Sequence, residues 1–172
     1  MSSIFILTLI FVFLTISVES VNLILQLKGK KLSKWLGKNA FGVHMTITGL
    51  LWLTTFCLIF ALQFEQHPQF HESMILKYIG LVLLISGSIL AIWAFKLLGL
   101  KRALCLNFFE ENVPIVKESL YKYIQNPLDY GFWMALVGFA IFTQSIYNLA
   151  VAVEFIIIMI PHIMLENKPL MG

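Results

Sequence analysis

Charged side chains are scarce in this chain. Asp, Glu, Lys and Arg make up 12% of its 172 residues, against about 25% in an ordinary soluble domain. Hydrophobic residues make up 59% of the chain, and the mean hydropathy is +0.88. Too few polar side chains are present to cover the outside of a water-soluble fold. The composition therefore argues against an ordinary soluble domain and favours a protein whose outer surface is covered by lipid.

Cysteine is also scarce, since the chain contains two, Cys57 and Cys105. Cys57 falls in an apolar run and Cys105 in a polar segment, so we expect no disulfide between them. Two cysteines without neighbouring histidines give no zinc signature. The chain also has no glycine-rich phosphate loop, and we predict no metal site.

Basic residues are missing from the first part of the chain, where no Lys or Arg precedes Lys28. A secretory signal peptide has a basic segment before its apolar region and a small-residue cleavage site after it. Neither is found here, so we expect the first apolar run to be a retained membrane span.

The chain contains five long apolar runs. They cover residues 4–27, 41–64, 76–100, 128–142 and 146–165, and a spanning helix needs about 20 such residues. We predict one all-α domain over residues 1–172, a polytopic membrane helix bundle of about five transmembrane helices. Residues 1–75 would hold two N-terminal spans and residues 76–172 the rest.

The last two runs are separated by the polar residues Thr143, Gln144, Ser145 and Asn148. We interpret them as a C-terminal helical hairpin with a tight turn. The alternative is four spans that end in one long, kinked helix. That helix would overshoot a hydrocarbon core of roughly 30 Å.

Lysine and arginine are concentrated in two of the loops. Residues 28–38 contain five lysines and no acid, whereas residues 64–75 contain Glu65 and Glu72 and no Lys or Arg. The loop after the third span is basic as well. The positive-inside rule predicts that the basic loops and the C-terminus are cytoplasmic and that the N-terminus is outside, in a bacterial inner membrane or the endoplasmic reticulum. Lipid head groups explain the basic loops better than nucleic acid does.

The longest polar segment, residues 101–131, contains the first candidate site. Asn126 precedes Pro127, a pair typical of a helix start, and Asp129 falls in the first turn of that helix. A helix N-terminus can bind an anionic group, and nearby tyrosines can stack on a flat ring. The structural alternative is a capped helix that enters the membrane, with Tyr121, Tyr123 and Tyr130 as interfacial aromatic residues.

The last apolar run contains a second set of polar residues. Glu154 lies at membrane depth, where a carboxylate is costly and faces the bundle interior. His162 and Glu166 are four residues apart and share a helix face. Each has a structural alternative: Glu154 as a hydrogen-bonded core residue, the others as polar residues that end the helix at the membrane surface.

These segments resemble the integral-membrane methyltransferases typified by isoprenylcysteine carboxyl methyltransferase and phosphatidylethanolamine N-methyltransferase. That family has a helix of the form G-x-x-L-x-x-W-A-x-x-x-L-G, and residues 87–99 read GSILAIWAFKLLG. A family segment G-x-Y-R-Y-x-R-[HN]-P-x-Y-x-G is similar to YKYIQNPLDYG at residues 121–131. The closing motif R-x-x-x-E-E-x-x-L is similar to HIMLENKPL at residues 162–170.

The resemblance implies that S-adenosylmethionine donates a methyl group to a lipophilic or lipid acceptor at the cytoplasmic membrane face. Asp129 and Glu154 are the candidate catalytic residues. The residues that the family motifs place at the cofactor are Tyr121, Tyr123, Gln125, Asn126, Pro127, Tyr130, Gly131, His162, Glu166 and Asn167. A pocket large enough for a nucleoside, lined by Tyr123, Asn126, Gly131 and Glu166, would favour this function.

The chain departs from the family motifs at several positions. Gln125 and His162 stand where arginine is usual, Asp129 where tyrosine is usual, and Asn167 where a second glutamate is usual. An alternative is therefore a catalytically inactive scaffold that binds a lipid or a partner, with the pocket filled by Phe108, Phe109 or Trp133. A sterol-reductase-type enzyme shares this scaffold, but the chain is short for it.

Overall fold

The computed structural model describes residues 2–66, 68–70, 72–103, 105–109 and 119–166, without the side chains of Leu100, Lys101 and Glu166. These residues form helices and turns and no named strand. The helices are α1 (Ser3–Leu27), α2 (Lys31–Leu36), α3 (Ala40–Leu62), α4 (Met74–Leu98), α5 (Leu100–Ala103), α6 (Leu120–Tyr123), α7 (Pro127–Thr143) and α8 (Ile146–Glu166). The all-α prediction is confirmed.

Four helical segments in the described part of the chain are long and apolar enough to cross a membrane. They are Ser3–Leu27, Lys31–Leu62, Met74–Leu98 and Ile146–Leu165, and α7 is a shorter apolar helix of 17 residues. At 1.5 Å per residue, α7 is about 25 Å long, close to the roughly 30 Å thickness of a hydrocarbon core. The prediction of a membrane bundle with about five apolar helices is confirmed.

The predicted hairpin is confirmed as well, because α7 and α8 are separate helices that pack against each other. Gln144 ends α7 in the left-handed region, with φ of 54°. Its side chain is fully buried and donates to the Ser73 carbonyl at 2.9 Å. Asn148 binds the Thr143 hydroxyl at 2.9 Å and the Gln63 side chain at 3.0 Å. The polar residues at the turn therefore tie it to the segment between α3 and α4.

Helices α4 and α7 are antiparallel and approach closely because glycines line their interface. A Cβ added to Gly80 would lie 2.3 Å from the Phe142 amide nitrogen, and one on Gly138 would lie 2.3 Å from that of Leu84. Gly87 faces Ala135 in the same way. Small residues of this kind let helix backbones meet in membranes, where van der Waals packing drives association.

Helix α1 packs against both α3 and α8. The contact with α3 includes a buried hydrogen bond of 2.8 Å between the hydroxyls of Thr15 and Thr55. Near the start of α8, the Tyr147 ring stacks on Phe5 with centroids 4.1 Å apart. Val151, Phe155 and Met159 continue this core along α8 and belong to the core list Phe5, Val12, Ile16, Leu62, Val151, Phe155 and Met159.

The described helices pack in the order α3, α1, α8, α7, α4, and no comparable packing joins α3 to α4 or α7. The basic loop 28–38, the end of α4, the start of α7 and the end of α8 lie at one end of the bundle, which we call the basic end. The α7–α8 turn and the start of α4 lie at the opposite end. This arrangement leaves space between α3 and the α4–α7 pair.

Candidate functional site

A cavity of about 690 Å³ occupies that space and reaches the basic end of the bundle. Pockets that hold small molecules and cofactors measure roughly 300–1,000 Å³. Its polar and charged lining residues are Glu19, Thr55, Arg102, Asn107, Lys122, Gln125, Asn126, Asp129 and His162, with Tyr121 beside them. Its apolar lining comes from α3, α4, α7 and α8 and includes Phe56, Ile59, Leu136, Val151, Phe155 and Met159.

The start of α7 places Asn126 and Asp129, two of the predicted site residues, in the cavity wall. Asn126 is at the N-cap position and Pro127 follows at the first helical position. The Asn126 side chain does not bond a backbone N–H of the helix, as a cap would, but donates to Asp129 Oδ2 at 3.2 Å. Asn126 therefore occupies the cap position without making the side-chain hydrogen bond of a cap. The amide instead orients a carboxylate at the cavity.

The single turn of α6 separates two tyrosines that the motif placed together. Tyr121 lines the cavity, and its hydroxyl donates to the Ala94 carbonyl at 3.4 Å. Tyr123 is 81% exposed and is not among the lining residues. The Lys122 ammonium lies 5.6 Å from the centre of the Tyr123 ring. Gln125 lies in the cavity wall beside Asn126.

Three further predicted residues on α7 are not among the residues that line the cavity. Pro127 is fully buried. Tyr130 is partly exposed and packs edge to face on Trp133. A Cβ on Gly131 would lie 2.5 Å from the Ala91 amide nitrogen, so Gly131 serves the close contact between α4 and α7.

Helix α8 contributes His162 to the cavity. Its ring is 3% exposed, and Nδ1 hydrogen-bonds with the Ser20 hydroxyl of α1 at 3.0 Å. Val151, Phe155 and Met159 lie below it on the same face of the helix. This bond fixes the end of α8 against α1, so His162 occupies one defined position in the cavity wall.

Glu154 precedes Phe155 and lies about 100° round the helix from it, outside the cavity lining. Its Oε2 is buried and has no hydrogen-bond partner among the residues that the structure describes. Glu166 ends α8, but its side chain and all of Asn167 fall outside the described residues. The roles predicted for these residues stay predictions.

Sequence reasoning missed part of the site, in particular the pair Glu19 and Trp52. Both line the cavity, and the indole N–H of Trp52 donates to Glu19 Oε2 at 3.1 Å. The signal available was a carboxylate inside an apolar run, which is a functional candidate by default. Arg102, also missed, lies where α5 follows α4. Only tertiary packing shows that these residues share a cavity with α7.

The lining joins both signs of charge with amides and aromatic rings at one end of an apolar space. Arg102 and Lys122 can bind a carboxylate, and Glu19 and Asp129 can bind a cation. Phe108 and Tyr121 offer ring faces. Phe109 instead packs on His44, with ring centres 5.2 Å apart. Within the described part of the chain, no group of three or more metal-binding side chains is found.

The geometry defines a helical membrane protein with an amphipathic binding cavity at its basic end. A family model described as phospholipid methyltransferase matches residues 76–172, more than half of the chain. The chain therefore belongs to the phospholipid methyltransferase family, which confirms the resemblance to integral-membrane methyltransferases. No curated protein and no solved structure matches the chain. The match begins within α4, so α1 to α3 lie outside it.

Proposed function

We propose that the protein transfers a methyl group from S-adenosylmethionine to a lipophilic or lipid acceptor at the cytoplasmic membrane face. This proposal rests on a cavity in which polar and charged residues at the basic end meet apolar walls within the bundle. Lysines surround this end, and the positive-inside rule assigns such an end to the cytoplasm. A water-soluble cofactor and a membrane-borne acceptor would reach this cavity from different sides.

The lining residues offer charges, amides and aromatic rings that match the groups of the cofactor. Arg102 and Lys122 would bind its carboxylate, and Asp129 would bind its ammonium group. The side-chain amides of Asn107, Gln125 and Asn126 would bind ribose hydroxyls and ring nitrogens. Phe108 and Tyr121 would pack against the adenine ring. The charge lost where Gln125 replaces an arginine is supplied by Arg102 from a different helix.

S-adenosylmethionine supplies, when bound, an electrophilic methyl group on a positively charged sulfur. The protein's contribution is to hold both reactants in line and to exclude water, which alone accounts for a large part of such rate enhancements. The cavity walls include Phe56, Phe132 and Phe155, whose apolar rings would exclude water from its interior. A protic acceptor must also lose a proton, which the Glu19 carboxylate, bound by the Trp52 indole N–H, would accept.

Calorimetry of S-adenosylmethionine and S-adenosylhomocysteine binding to protein in lipid nanodiscs tests the cofactor assignment. Tyr121→Leu and Tyr123→Leu form a matched pair, because each removes one aromatic ring and, of the two, only Tyr121 lines the cavity. We expect both ligands to bind the wild type, Tyr121→Leu to weaken binding by roughly fivefold, since an aromatic contact contributes about 1 kcal/mol, and Tyr123→Leu to leave it unchanged. No binding by folded wild-type protein would contradict the proposal and favour an inactive scaffold that binds lipid.

A further inference from the structure

The segment that joins α1 to α3 and begins α3 presents a basic surface on the outside of the bundle. Residues 28–47 contain five lysines and no Asp or Glu. All five lysine side chains are exposed. Because the segment contains no acid to offset them, the lysines give this part of the basic end a strong positive charge. A basic cluster next to a membrane span attracts anionic lipid head groups.

Helix α2 holds part of this surface in a defined orientation. The side chain of Gln26, buried near the end of α1, donates to the Ser33 hydroxyl at 2.7 Å and accepts from the Ser33 amide at 3.2 Å. Lys34 and Trp35 lie three and four residues after Lys31, so the three side chains share the opposite face of α2. Trp35 is 69% exposed. Tryptophan beside lysine on an outward face is typical of the head-group level of a membrane.

A groove of about 500 Å³ begins at this surface and follows the outer side of α3. Its lining residues recur every four positions and so form one stripe along the helix: Lys38, Asn39, Gly42, Val43, Thr46 and Ile47. None of these six residues lines the cavity described above. Gly42 leaves room in the stripe, since a Cβ added to it would meet no described residue within 4 Å. The groove is therefore a surface feature separate from the cavity.

The groove is polar at the basic end and apolar below it. Lys38 places an ammonium group at its upper end. Further along α3, the Thr46 hydroxyl donates to the Gly42 carbonyl of its own helix at 2.9 Å, so it is already paired within the helix. Val43 and Ile47 are 37% and 44% exposed and supply apolar walls. The stripe is about 14 Å long at 1.5 Å per residue, and an acyl chain below a charged head group fits this arrangement.

We propose that this groove binds an anionic phospholipid, with the phosphate at Lys38 and Asn39 and one acyl chain along the apolar stripe. The other lysines of the segment raise the local concentration of anionic head groups. An acidic peptide would match the charge but not the stripe, which lies on a helix long and apolar enough to cross a membrane. The inference goes beyond the proposed function, because no step of methyl transfer depends on it. The groove also lies outside residues 76–172, which match the family model.

Native mass spectrometry of the protein released from detergent micelles measures this binding directly. The protein is titrated with phosphatidylglycerol and, separately, with phosphatidylcholine of the same acyl chains. We expect a phosphatidylglycerol adduct that saturates and forms roughly fivefold more tightly than the phosphatidylcholine adduct, the effect of about one lysine near an anionic head group. Phosphatidylglycerol with six-carbon chains should bind more weakly than the long-chain lipid, because it buries less apolar surface in the stripe.

Two matched pairs of variants locate the adduct on the protein. Lys38→Gln should remove the preference for phosphatidylglycerol, whereas Lys77→Gln, at the opposite end of the bundle, should leave it unchanged. Gly42→Leu fills the groove and should weaken the phosphatidylglycerol adduct by roughly tenfold, since apolar pockets discriminate a single methylene to about that extent. Gly49→Leu, on the same helix and outside the lining, should have no effect. Circular dichroism checks that each variant is folded.

A saturable phosphatidylglycerol adduct that both Lys38→Gln and Gly42→Leu weaken supports the inference. Equal binding of the two long-chain lipids by the wild type would overturn it, because the site would then not select charge. An adduct that Gly42→Leu leaves unchanged, and that Lys31→Gln weakens as much as Lys38→Gln does, would overturn it as well, since the lysines would then act as a diffuse surface. Equal binding of six-carbon and long-chain phosphatidylglycerol would show that no acyl chain lies in the stripe.

Discussion

Two helix pairs of this protein are held together in different ways. Helices α4 and α7 meet backbone to backbone over Gly80, Gly87 and Gly138, with no room for a side chain between them. Helices α1 and α3 are joined through side-chain hydrogen bonds, among them Thr15 to Thr55 and Trp52 to Glu19. The first pair lies largely within the family match and forms a rigid frame. The second lies outside it and offers polar and aromatic side chains to the cavity.

This difference indicates which helix contacts tolerate substitution. A backbone contact tolerates no added atom, so α4 and α7 fix the distance across the frame and the position of the α7 N-terminus. A side-chain contact can be exchanged without moving the helices. The residues proposed to hold the cofactor are carried mainly by this frame and its adjoining turns.

Substitution of the glycines between α4 and α7 should have the largest effect, which is on the stability of the protein. Gly138→Ala places a Cβ 2.3 Å from the Leu84 amide nitrogen and must separate the helices, which we expect to destabilise the protein by about 3 kcal/mol. Gly49→Ala makes the same change on α3, where no described residue lies within 4 Å of the added atom. Thermal unfolding in detergent compares the two. Equal unfolding temperatures for both variants would contradict the close packing of α4 on α7.

Neutralising Asp129 should have the second largest effect, which is on cofactor binding. A hydrogen bond to a charged group contributes about 1.5–3 kcal/mol, so Asp129→Asn should weaken S-adenosylmethionine binding by roughly 10- to 100-fold in calorimetry. The matched control is Glu72→Gln at the opposite end of the bundle, where Glu72 pairs with Lys77 at 3.7 Å. If the two variants bind the cofactor equally well, Asp129 does not contact it.

Substitutions in the Glu19–Trp52 pair should have a moderate effect, which is on the rate of methyl transfer. Trp52→Phe removes the donor that orients the carboxylate and should slow transfer by roughly fivefold, since the bond contributes about 1 kcal/mol. The same change in a Glu19→Gln background should add little, because both substitutions disrupt one interaction. Trp93→Phe, on the exposed surface of α4, is the control. Fully additive effects of Trp52→Phe and Glu19→Gln would show that the two residues act separately.

The smallest effect is expected for the threonine pair between α1 and α3. Hydrogen bonds between membrane helices contribute about 0.6 kcal/mol, and a double-mutant cycle of Thr15→Val and Thr55→Val should return a coupling of about that size. Thr54→Val is the control, because the Thr54 hydroxyl bonds the Leu50 carbonyl of its own helix. A coupling above about 2 kcal/mol would mean that α1 and α3 depend on this bond far more than membrane helices usually do.

Most of the fold could be predicted from the sequence, because apolar runs and their polar interruptions are local signals. Gln144, Ser145 and Asn148 indicated the hairpin turn, and these residues form it and tie it to neighbouring segments. The close approach of α4 and α7 was also accessible in principle, since Gly80 and Gly87, like Gly131 and Gly138, are seven residues apart. That spacing places small residues on one helix face.

The site could be predicted only in part. The structure brings Tyr121, Gln125, Asn126, Asp129 and His162 to one cavity, and their role in cofactor binding stays a prediction. Neighbouring residues of a motif point in different directions, so Tyr123 is exposed and Gly131 packs on Ala91. The rotation of a short helix such as α6 depends on tertiary contacts that a motif does not contain. For the same reason, the sequence did not indicate that Glu19 lines the cavity, since Glu19 lies on a helix distant in the chain.

The most direct test of the account is methyl transfer itself. Protein in vesicles made from a total bacterial lipid extract is incubated with S-adenosylmethionine that carries a radioactive methyl group, and the label in the organic phase is counted. We predict label in lipid with the wild type, a strong loss with Asp129→Asn, and wild-type transfer with Glu72→Gln. No label above a protein-free control, in protein shown to be folded and to bind the cofactor, would contradict transfer to a membrane lipid.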